Sequence, residues 1–147
     1  MATNTPGSTA RQDPRNVQNT IRALLNFGDP GVSAGVQIGV LPLGAFLTGW
    51  WFEVVTGFNA GTTNPVTVGT NATNYNNIMQ AGDNTPGTPG IYRDPIVAGP
   101  PSTEARLGRS FAAAGDTPVF MKYAPTGTAA SAGQGVFVLE FEGGFTG

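Results

Sequence analysis

The sequence contains no cysteine and no histidine. Without cysteine the chain forms no disulfide and offers no thiolate for metal binding or nucleophilic attack. Without histidine it lacks the commonest general base and the commonest metal ligand of proteins. Charged residues are scarce as well, at 11% of the chain, against about 25% in an ordinary soluble protein. These absences disfavour most enzymes and metalloproteins, and we expect no cofactor, no metal site and no enzymatic activity.

A long apolar stretch is also missing. No run of residues approaches the roughly 20 apolar positions that span a bilayer. The polar opening MATNTPGSTARQDPRN lacks the hydrophobic segment of a secretory signal. We therefore expect synthesis in the cytoplasm and no membrane partner. The formal net charge of -2 provides no general attraction to nucleic acid, so we expect no nucleic-acid partner either.

Glycine, proline and alternating apolar residues dominate instead. The chain has 22 Gly and 12 Pro, while 39% of its residues are hydrophobic and 10% aromatic, which is too apolar for simple disorder. The alternation predicts about eight strands, at 20–27, 36–40, 45–58, 64–70, 75–80, 105–112, 117–124 and 135–142. No amphipathic helix of three turns competes with this pattern. The predicted fold class is all-β, an antiparallel β-sandwich of jelly-roll kind.

The predicted domain is preceded by an arm and interrupted by a loop. Residues 1–19 are polar and show neither strand nor helix periodicity, so we predict an extended N-terminal arm before one domain at 20–147. At 20–27 a helical interpretation competes with the strand, and the turn sequence GDPG at 28–31 favours the strand. That helical face would hold Val17, Ile21, Leu24 and Leu25. The Pro/Gly-rich segment at about 81–103 predicts a long surface loop, because proline removes ladder hydrogen bonds.

The longest predicted strand, 45–58, has one mostly apolar face and a second face that carries Leu47, Trp51 and Val55. Adjacent tryptophans at 50 and 51 must point to opposite sides of a strand. Trp51 is then part of an extended core, an anchor in an oligomer interface or a platform for a ligand. We predict Leu47, Trp51 and Val55 as oligomer-interface residues. The turn formers NAGTT that follow the strand predict a hairpin to the next strand.

Two groups of charged residues are candidates for function. Glu140 and Glu142 alternate on one strand, so their Cα atoms lie roughly 6.5–7 Å apart on the same face, a spacing that overlaps that of glycosidase carboxylates. Acidic residues that keep a terminal edge strand soluble produce the same pattern, which makes an enzyme the least favoured class. Arg11, Arg15 and Arg22 concentrate positive charge in and beside the arm. We predict that these arginines bind an acidic partner surface as the arm becomes ordered.

Short strings at four places resemble those of small tailed-bacteriophage proteins encoded near the major capsid protein. They are NFGD at Asn26–Asp29, GVLPLGA at Gly39–Ala45, FNAGTTN at Phe58–Asn64 and VGT at Val68–Thr70. The later stretch GDTPVFMKYAPTGTAASAGQ is similar to the ending of the same family. The resemblance covers about residues 20–142 and leaves 72–105 unmatched.

The resemblance implies a capsid decoration, or cement, protein. Such a protein is a compact β-sandwich, often trimeric, that binds the outer surface of the shell and stabilises the head. The implied partners are the major capsid protein and further copies of this chain in a homotrimer. The implied location is the virion surface, after synthesis in the host cytoplasm. The alternative is a carbohydrate-binding head or tail module that attaches to host cell-surface glycans through an exposed tryptophan.

Overall fold

Two antiparallel sheets packed against a common core make up the described part of the chain. The computed structural model describes residues 18–95 and 115–143. The strands in these residues are β1 (Gln18–Asn26), β2 (Val36–Leu41), β3 (Ala45–Thr56), β4 (Val66–Gly69), β5 (Gly90–Arg93), β6 (Thr117–Tyr123) and β7 (Gln134–Gly143). β1, β7, β3 and β5 pair in that order in a four-stranded sheet, here called sheet A. β2, β6 and β4 form the three-stranded sheet B. The predicted all-β antiparallel sandwich is confirmed.

The connectivity is that of a jelly roll. From β1 to β4 the chain changes sheet at every connection, and it does so again from β5 to β7. Between β4 and β5 it remains on sheet B for one antiparallel bridge, in which Met79 pairs with Val68 on the side of β4 that faces away from β6. The bridge occupies the place of the eighth strand of a jelly roll. In place of the strand predicted at 75–80, the structure has a single β-bridge.

Two other sequence-based boundaries differ from the structure. β1 begins at Gln18, slightly before the predicted end of the arm at residue 19. The loop predicted at 81–103 contains β5, whose short sequence GIYR lies between prolines and glycines and gives too few residues for a period-two pattern. The strand predicted at 105–112 lies outside the described residues. Within the described ranges, no helix is long and apolar enough to span a membrane.

β3 and β4 belong to different sheets, so the predicted hairpin is wrong. β3 pairs with β7 and β5, whereas β4 pairs with β6. The turn formers between them bond to the loop that joins β6 to β7. The backbone N–H of Gly61 donates to the Thr128 carbonyl at 2.9 Å, and that of Thr62 donates to the Thr126 carbonyl at 2.9 Å. A Cβ atom on Gly61 would lie 2.7 Å from the Thr128 nitrogen, so this close approach requires glycine.

Two asparagine side chains hold these loops together. Asn59 Oδ1 accepts the backbone N–H groups of Ser131 at 2.8 Å and Ala132 at 2.9 Å, while Asn59 Nδ2 donates to Ser131 Oγ at 3.0 Å. Asn64 Oδ1 accepts the hydroxyl of Tyr123, which belongs to β6, at 2.8 Å. Because an amide both donates and accepts, the loops are joined without any charged group.

β3 carries a bulge that reverses its alternation. Its pairing with β7 shifts register between Leu47 and Gly49. Before the shift, Ala45 and Leu47 point into the sandwich. After it, the inward side chains are Trp50, Phe52 and Val54. An extra residue on one strand exchanges the sides to which later residues point. A regular strand would have placed Leu47 on the same face as Trp51.

Aromatic and aliphatic side chains from both sheets fill the space between them. Phe52, Phe137 and Leu25 of sheet A are fully buried, and so is Tyr123 of sheet B. The Tyr123 ring lies 4.8 Å from the ring of Phe58, centroid to centroid. Burying one such side chain stabilises a fold by roughly 1.5–3 kcal/mol. Packing of these side chains between the two sheets is therefore a main source of the stability of the sandwich.

The substitution Asn59→Ala should lower the free energy of unfolding by about 1 kcal/mol, since the backbone N–H groups of Ser131 and Ala132 lose their acceptor and turn to water. Urea denaturation monitored by tryptophan fluorescence measures this loss. Asn74→Ala, at an exposed asparagine of another loop, is the control and should change the value by less than about 0.5 kcal/mol. Equal effects of the two substitutions would show that Asn59 does not hold the loops.

Burial raises the pKa of the Tyr123 hydroxyl above its usual value. The unfolded chain then loses this proton first as the pH rises, so the stability contributed by Tyr123 is complete below about pH 10 and is lost above it. We expect the free energy of unfolding to fall more steeply above about pH 10 in the wild type than in Tyr123→Phe. Urea titrations at a series of pH values test this difference. Parallel pH profiles for the two proteins would contradict it.

Candidate interaction surface

The outer face of sheet A carries a continuous row of charged and apolar side chains. Arg22, Val138, Trp51 and Arg93 lie in register on the four strands. Side chains alternate along each strand, and the inward neighbours of these residues belong to the core, so all four point outward. Arg22 and Arg93 are exposed, and Trp51 is half-buried. The row thus has an arginine at each edge and an indole between them.

The next row across sheet A is mainly apolar. Leu24, Val136, Glu53 and Ile91 lie in register. Leu24 is 56% exposed and Ile91 is 54% exposed, so large apolar side chains are accessible at both edges of the sheet. Val55, further along β3, is 50% exposed. Apolar side chains clustered on one exposed face characterise surfaces that bind other proteins. We refer to these two rows with Val55 as the sheet A surface.

The structure does not place the predicted interface residues Leu47, Trp51 and Val55 on one face. Leu47 is only 6% exposed and packs in the core, so its assignment to the face of the other two is wrong. The cause is the bulge after Leu47, which period-two reasoning could not locate. Trp51 and Val55 do point to the outer side. Their role in contacts between subunits remains a prediction.

Of the three arginines predicted to bind an acidic partner, the described residues include only Arg22. Its side chain is exposed on the outer face of sheet A, directly opposite Val138. Arg11 and Arg15 lie outside the described residues. β1 is at the edge of its sheet, so the arm joins the sandwich at the strand that carries Arg22.

The acidic pair on β7 does not belong to a sheet edge. β7 lies between β1 and β3, so the explanation of Glu140 and Glu142 as solubilising residues of an edge strand is wrong. Both carboxylates are on the outer face of sheet A, Glu140 opposite Gly49 and Glu142 opposite Phe46. No group of three or more His, Cys, Asp or Glu side chains in the described residues is placed to hold a metal ion.

The outer face of sheet B differs because a loop folds back over it. Lys122 Nζ donates to the Thr73 carbonyl at 2.9 Å. The Tyr75 ring stacks on Phe120 of β6 with 4.6 Å between centroids. Asn71 Oδ1 accepts the backbone N–H of Asn76 at 2.9 Å, which closes the loop on itself. This packing leaves a shallow hollow of about 190 Å³, lined by Pro65, Thr67, Asn74, Asn76, Lys122 and Ala124.

Sequence reasoning missed the part of the sheet A surface that β5 contributes. Ile91 and Arg93 join it only because β5 pairs with β3, opposite Glu53 and Trp51. The alternation of Ile91 and Arg93 around Tyr92 was the available signal, and the prolines on either side concealed it. Leu24 also lies on this surface. Its position follows from the predicted strand, whose inward side holds Ile21, Ala23 and Leu25.

Chains with this fold are present in bacteriophage capsid structures. A chain of the cyanophage Pam1 capsid asymmetric unit is similar with a TM-score of 0.55 and 17% identity, over 96% of this chain and 97% of that one. A chain of the acid-stable capsid of Helicobacter pylori bacteriophage KHP30 gives 0.52 and 16%, over 87% and 89%. A chain of the Ralstonia phage GP4 capsid gives 0.52 and 18%, over 90% and 87%. No protein-family model matches the sequence, and no curated protein matches it significantly. At these identities the likeness establishes a common fold.

Two aspartate substitutions distinguish the core position from the surface position. Leu47→Asp should reduce the free energy of unfolding by about 3 kcal/mol or more, because it places a charge in the core and removes packed methyl groups. Val55→Asp should cost less than about 1 kcal/mol, because position 55 is exposed. Chemical denaturation of both variants measures the difference. A Leu47→Asp protein as stable as the wild type would return Leu47 to the surface.

Proposed function

We propose that the chain is a non-enzymatic structural protein of a bacteriophage particle, a decoration protein that binds the outer surface of the major capsid protein shell. The observation that carries this proposal is the extent of the structural likeness. Between 87% and 97% of each chain is covered in the three capsid structures, so the neighbours are chains of similar length rather than large proteins that contain this fold as one part. A small β-sandwich chain inside a capsid suits an accessory role on the shell.

The chemistry of the surface agrees with a binding role. The sheet A surface presents apolar and charged side chains, and the chain has no histidine or cysteine to act on a substrate. A protein that stabilises a shell needs many contacts of modest strength. When several copies are joined, these contacts act together and raise the overall affinity by orders of magnitude. We propose a homotrimer, with Trp51 and Val55 of the sheet A surface in the contacts between copies.

The arginines of the arm supply the second part of the proposed contact. Arg11 and Arg15 belong to a segment that joins the sandwich at β1, and Arg22 continues its positive charge onto the sheet A surface. Guanidinium groups pair with carboxylates in a bidentate geometry. We propose that these three arginines bind acidic side chains on the shell.

A glycan-binding module is the second candidate, and one observation favours it. The half-buried Trp51 lies on an open face beside Arg93 and Glu53, and an indole beside polar groups is a suitable platform for a sugar ring. Tryptophan fluorescence during titration with host cell-surface glycans separates the two candidates. A saturable change that disappears in Trp51→Ala would favour the glycan-binding module, and no change would leave the shell as the partner.

The decoration role predicts that the chain co-sediments with empty shells assembled from the major capsid protein of its own phage. Replacing Arg11 and Arg15 together by alanine should weaken this binding about tenfold, equivalent to about 1.4 kcal/mol, and should reduce its salt dependence. Lys122→Gln, which removes one positive charge on sheet B, is the control and should leave the binding unchanged. Absence of wild-type binding would contradict the proposed function, and full binding by the double variant would contradict the role of the arm.

A further inference from the structure

Among the described strands, β1 and β5 lie at the edges of sheet A, and β2 and β4 lie at the edges of sheet B. The unpaired N–H and C=O groups of an edge strand are a template for a further strand, and proteins shorten, bend or cover such edges. β5 has only four residues. β2 has six, and its pairing shifts between Gln37 and Gly39. β4 is covered by Met79, which bonds to Val68. These three edges therefore offer few positions to another chain.

The edge formed by β1 has none of these protections. Its nine residues, QNTIRALLN, pair with β7 from Gln18 to Asn26 without any shift of register. The strand contains no proline, and no described strand pairs on the side that faces away from β7. We call this side the free side of β1. A long, regular edge strand is the form that proteins avoid unless another chain pairs with it.

The register of β1 with β7 determines which backbone groups face the free side. The N–H of Phe27 donates to the Gly133 carbonyl at 3.0 Å, and this pair continues the register by one residue. In an antiparallel pair, the hydrogen-bonding groups of successive residues point to opposite sides. The odd-numbered residues of β1 therefore bond to β7. The N–H and C=O groups of Thr20, Arg22 and Leu24 point to the free side.

Asn26 agrees with this alternation and marks one limit of the free side. Its N–H donates to Asp29 Oδ2 at 2.8 Å, so this even-numbered amide does not bond to β7. The Asp29 side chain thereby closes the free side at the last residue of β1. No described residue closes it in this way at Thr20, Arg22 or Leu24. These three residues therefore present their N–H and C=O groups to a further strand.

The side chains of β1 define the kind of segment that fits beside it. Arg22 is the charged residue of the strand and is exposed on the outer face of sheet A. Leu24, on the same face, is 56% exposed. Side chains directly opposite each other on neighbouring strands have Cβ atoms about 4.5–5.5 Å apart and interact. A segment with an acidic residue opposite Arg22 and an apolar residue opposite Leu24 therefore complements this edge.

We propose that β1 accepts an extended segment of the capsid shell protein as a fifth strand of sheet A, with an acidic residue opposite Arg22 and an apolar residue opposite Leu24. This inference rests on the proposed function and deepens it, because it names the backbone contact that holds the shell. In such pairing, main-chain hydrogen bonds provide affinity and alternate side chains provide specificity.

A second copy of β1 fits the free side less well. Arg22 is the middle residue of Gln18–Asn26. Antiparallel pairing of two β1 strands over their full length would therefore place the two Arg22 side chains opposite each other. Like charges directly opposite on neighbouring strands are destabilising. The charge of β1 thus favours an acidic segment of a different protein.

The test uses the full chain and empty shells of its own phage. Thr20→Pro removes an N–H that faces the free side and leaves the bonds to β7 in place, and it should weaken binding to the shells by tenfold or more. Thr20→Ala is the matched control, because it removes the same side chain and keeps the N–H. It should bind within about twofold of the wild type. Arg22→Gln should weaken binding about twofold and reduce its dependence on salt. Circular dichroism checks the fold of each variant.

Hydrogen exchange of the wild-type chain tests the same contact without a substitution. In the free chain, the amides of Thr20, Arg22 and Leu24 should exchange faster than those of Ile21 and Ala23, which bond to β7. In the shell-bound chain, these three amides should become protected. Residue-resolved mass spectrometry measures the change. It also decides the question if Thr20→Pro does not fold, since unchanged exchange in the bound chain would overturn the inference.

The possible outcomes separate this inference from the proposed function. If the wild-type chain does not bind shells, the proposed function fails and the inference fails with it. If the wild type binds and folded Thr20→Pro binds equally well, only the inference is overturned. If sedimentation shows that Thr20→Pro separates a wild-type oligomer into monomers, β1 pairs with a second copy, which also overturns the inference. Full protection of the Thr20, Arg22 and Leu24 amides in the chain without shells would mean that the chain itself covers the free side, and would overturn it too.

Discussion

The bulge between Leu47 and Gly49 determines what the longest strand presents to the core and to the outside. β3 is paired on both sides, with β7 and with β5. The direction of its side chains therefore also decides which side chains of these two strands share a face with them. Because the bulge exchanges the two sides, Leu47 joins the same core as Trp50 and Phe52, although regular alternation would separate them. Trp51 is directed outward as a result. The sheet A surface exists in its observed form because Thr48 is left out of the pairing with β7.

The two outer faces of the sandwich differ in exposure because a loop covers only one of them. On sheet B, the asparagine-rich loop after β4 closes on itself and covers β6, where Lys122 and Phe120 hold it. On sheet A, no described loop performs this role, so Arg22, Leu24 and Ile91 remain exposed. Neutral amides carry out the structural work of the loop between β3 and β4, through Asn59 and Asn64. The charged side chains Arg22, Glu53, Arg93, Glu140 and Glu142 lie on the strands of sheet A, the sheet for whose outer face we propose contacts.

A binding protein built in this way acts through the arrangement of its contact surfaces. Its sandwich is held by aromatic packing across the two sheets, and its proposed contacts lie on a sheet face and in an arm. Each contact is weak when considered alone, since exposed charge pairs and single apolar side chains each contribute about 1 kcal/mol. Together on several linked copies they would give firm attachment. The proposed role on a capsid shell, which repeats the same surface many times, fits this kind of attachment.

Alternation along the sequence was sufficient to predict most of the strands and the fold class, because burial on one face of a sheet imposes a period of two that turn residues interrupt. The inward side chains Ile21, Leu25, Val119, Met121, Phe137 and Leu139 were all evident in this way. Pairing was not evident, since it depends on contacts between residues far apart in the chain. Only the tertiary structure could join β4 to β6 instead of β3, add β5 to sheet A, or move Leu47 inward. A bulge and a sheet edge are decided by which strand lies alongside, and a single strand's sequence does not contain that information.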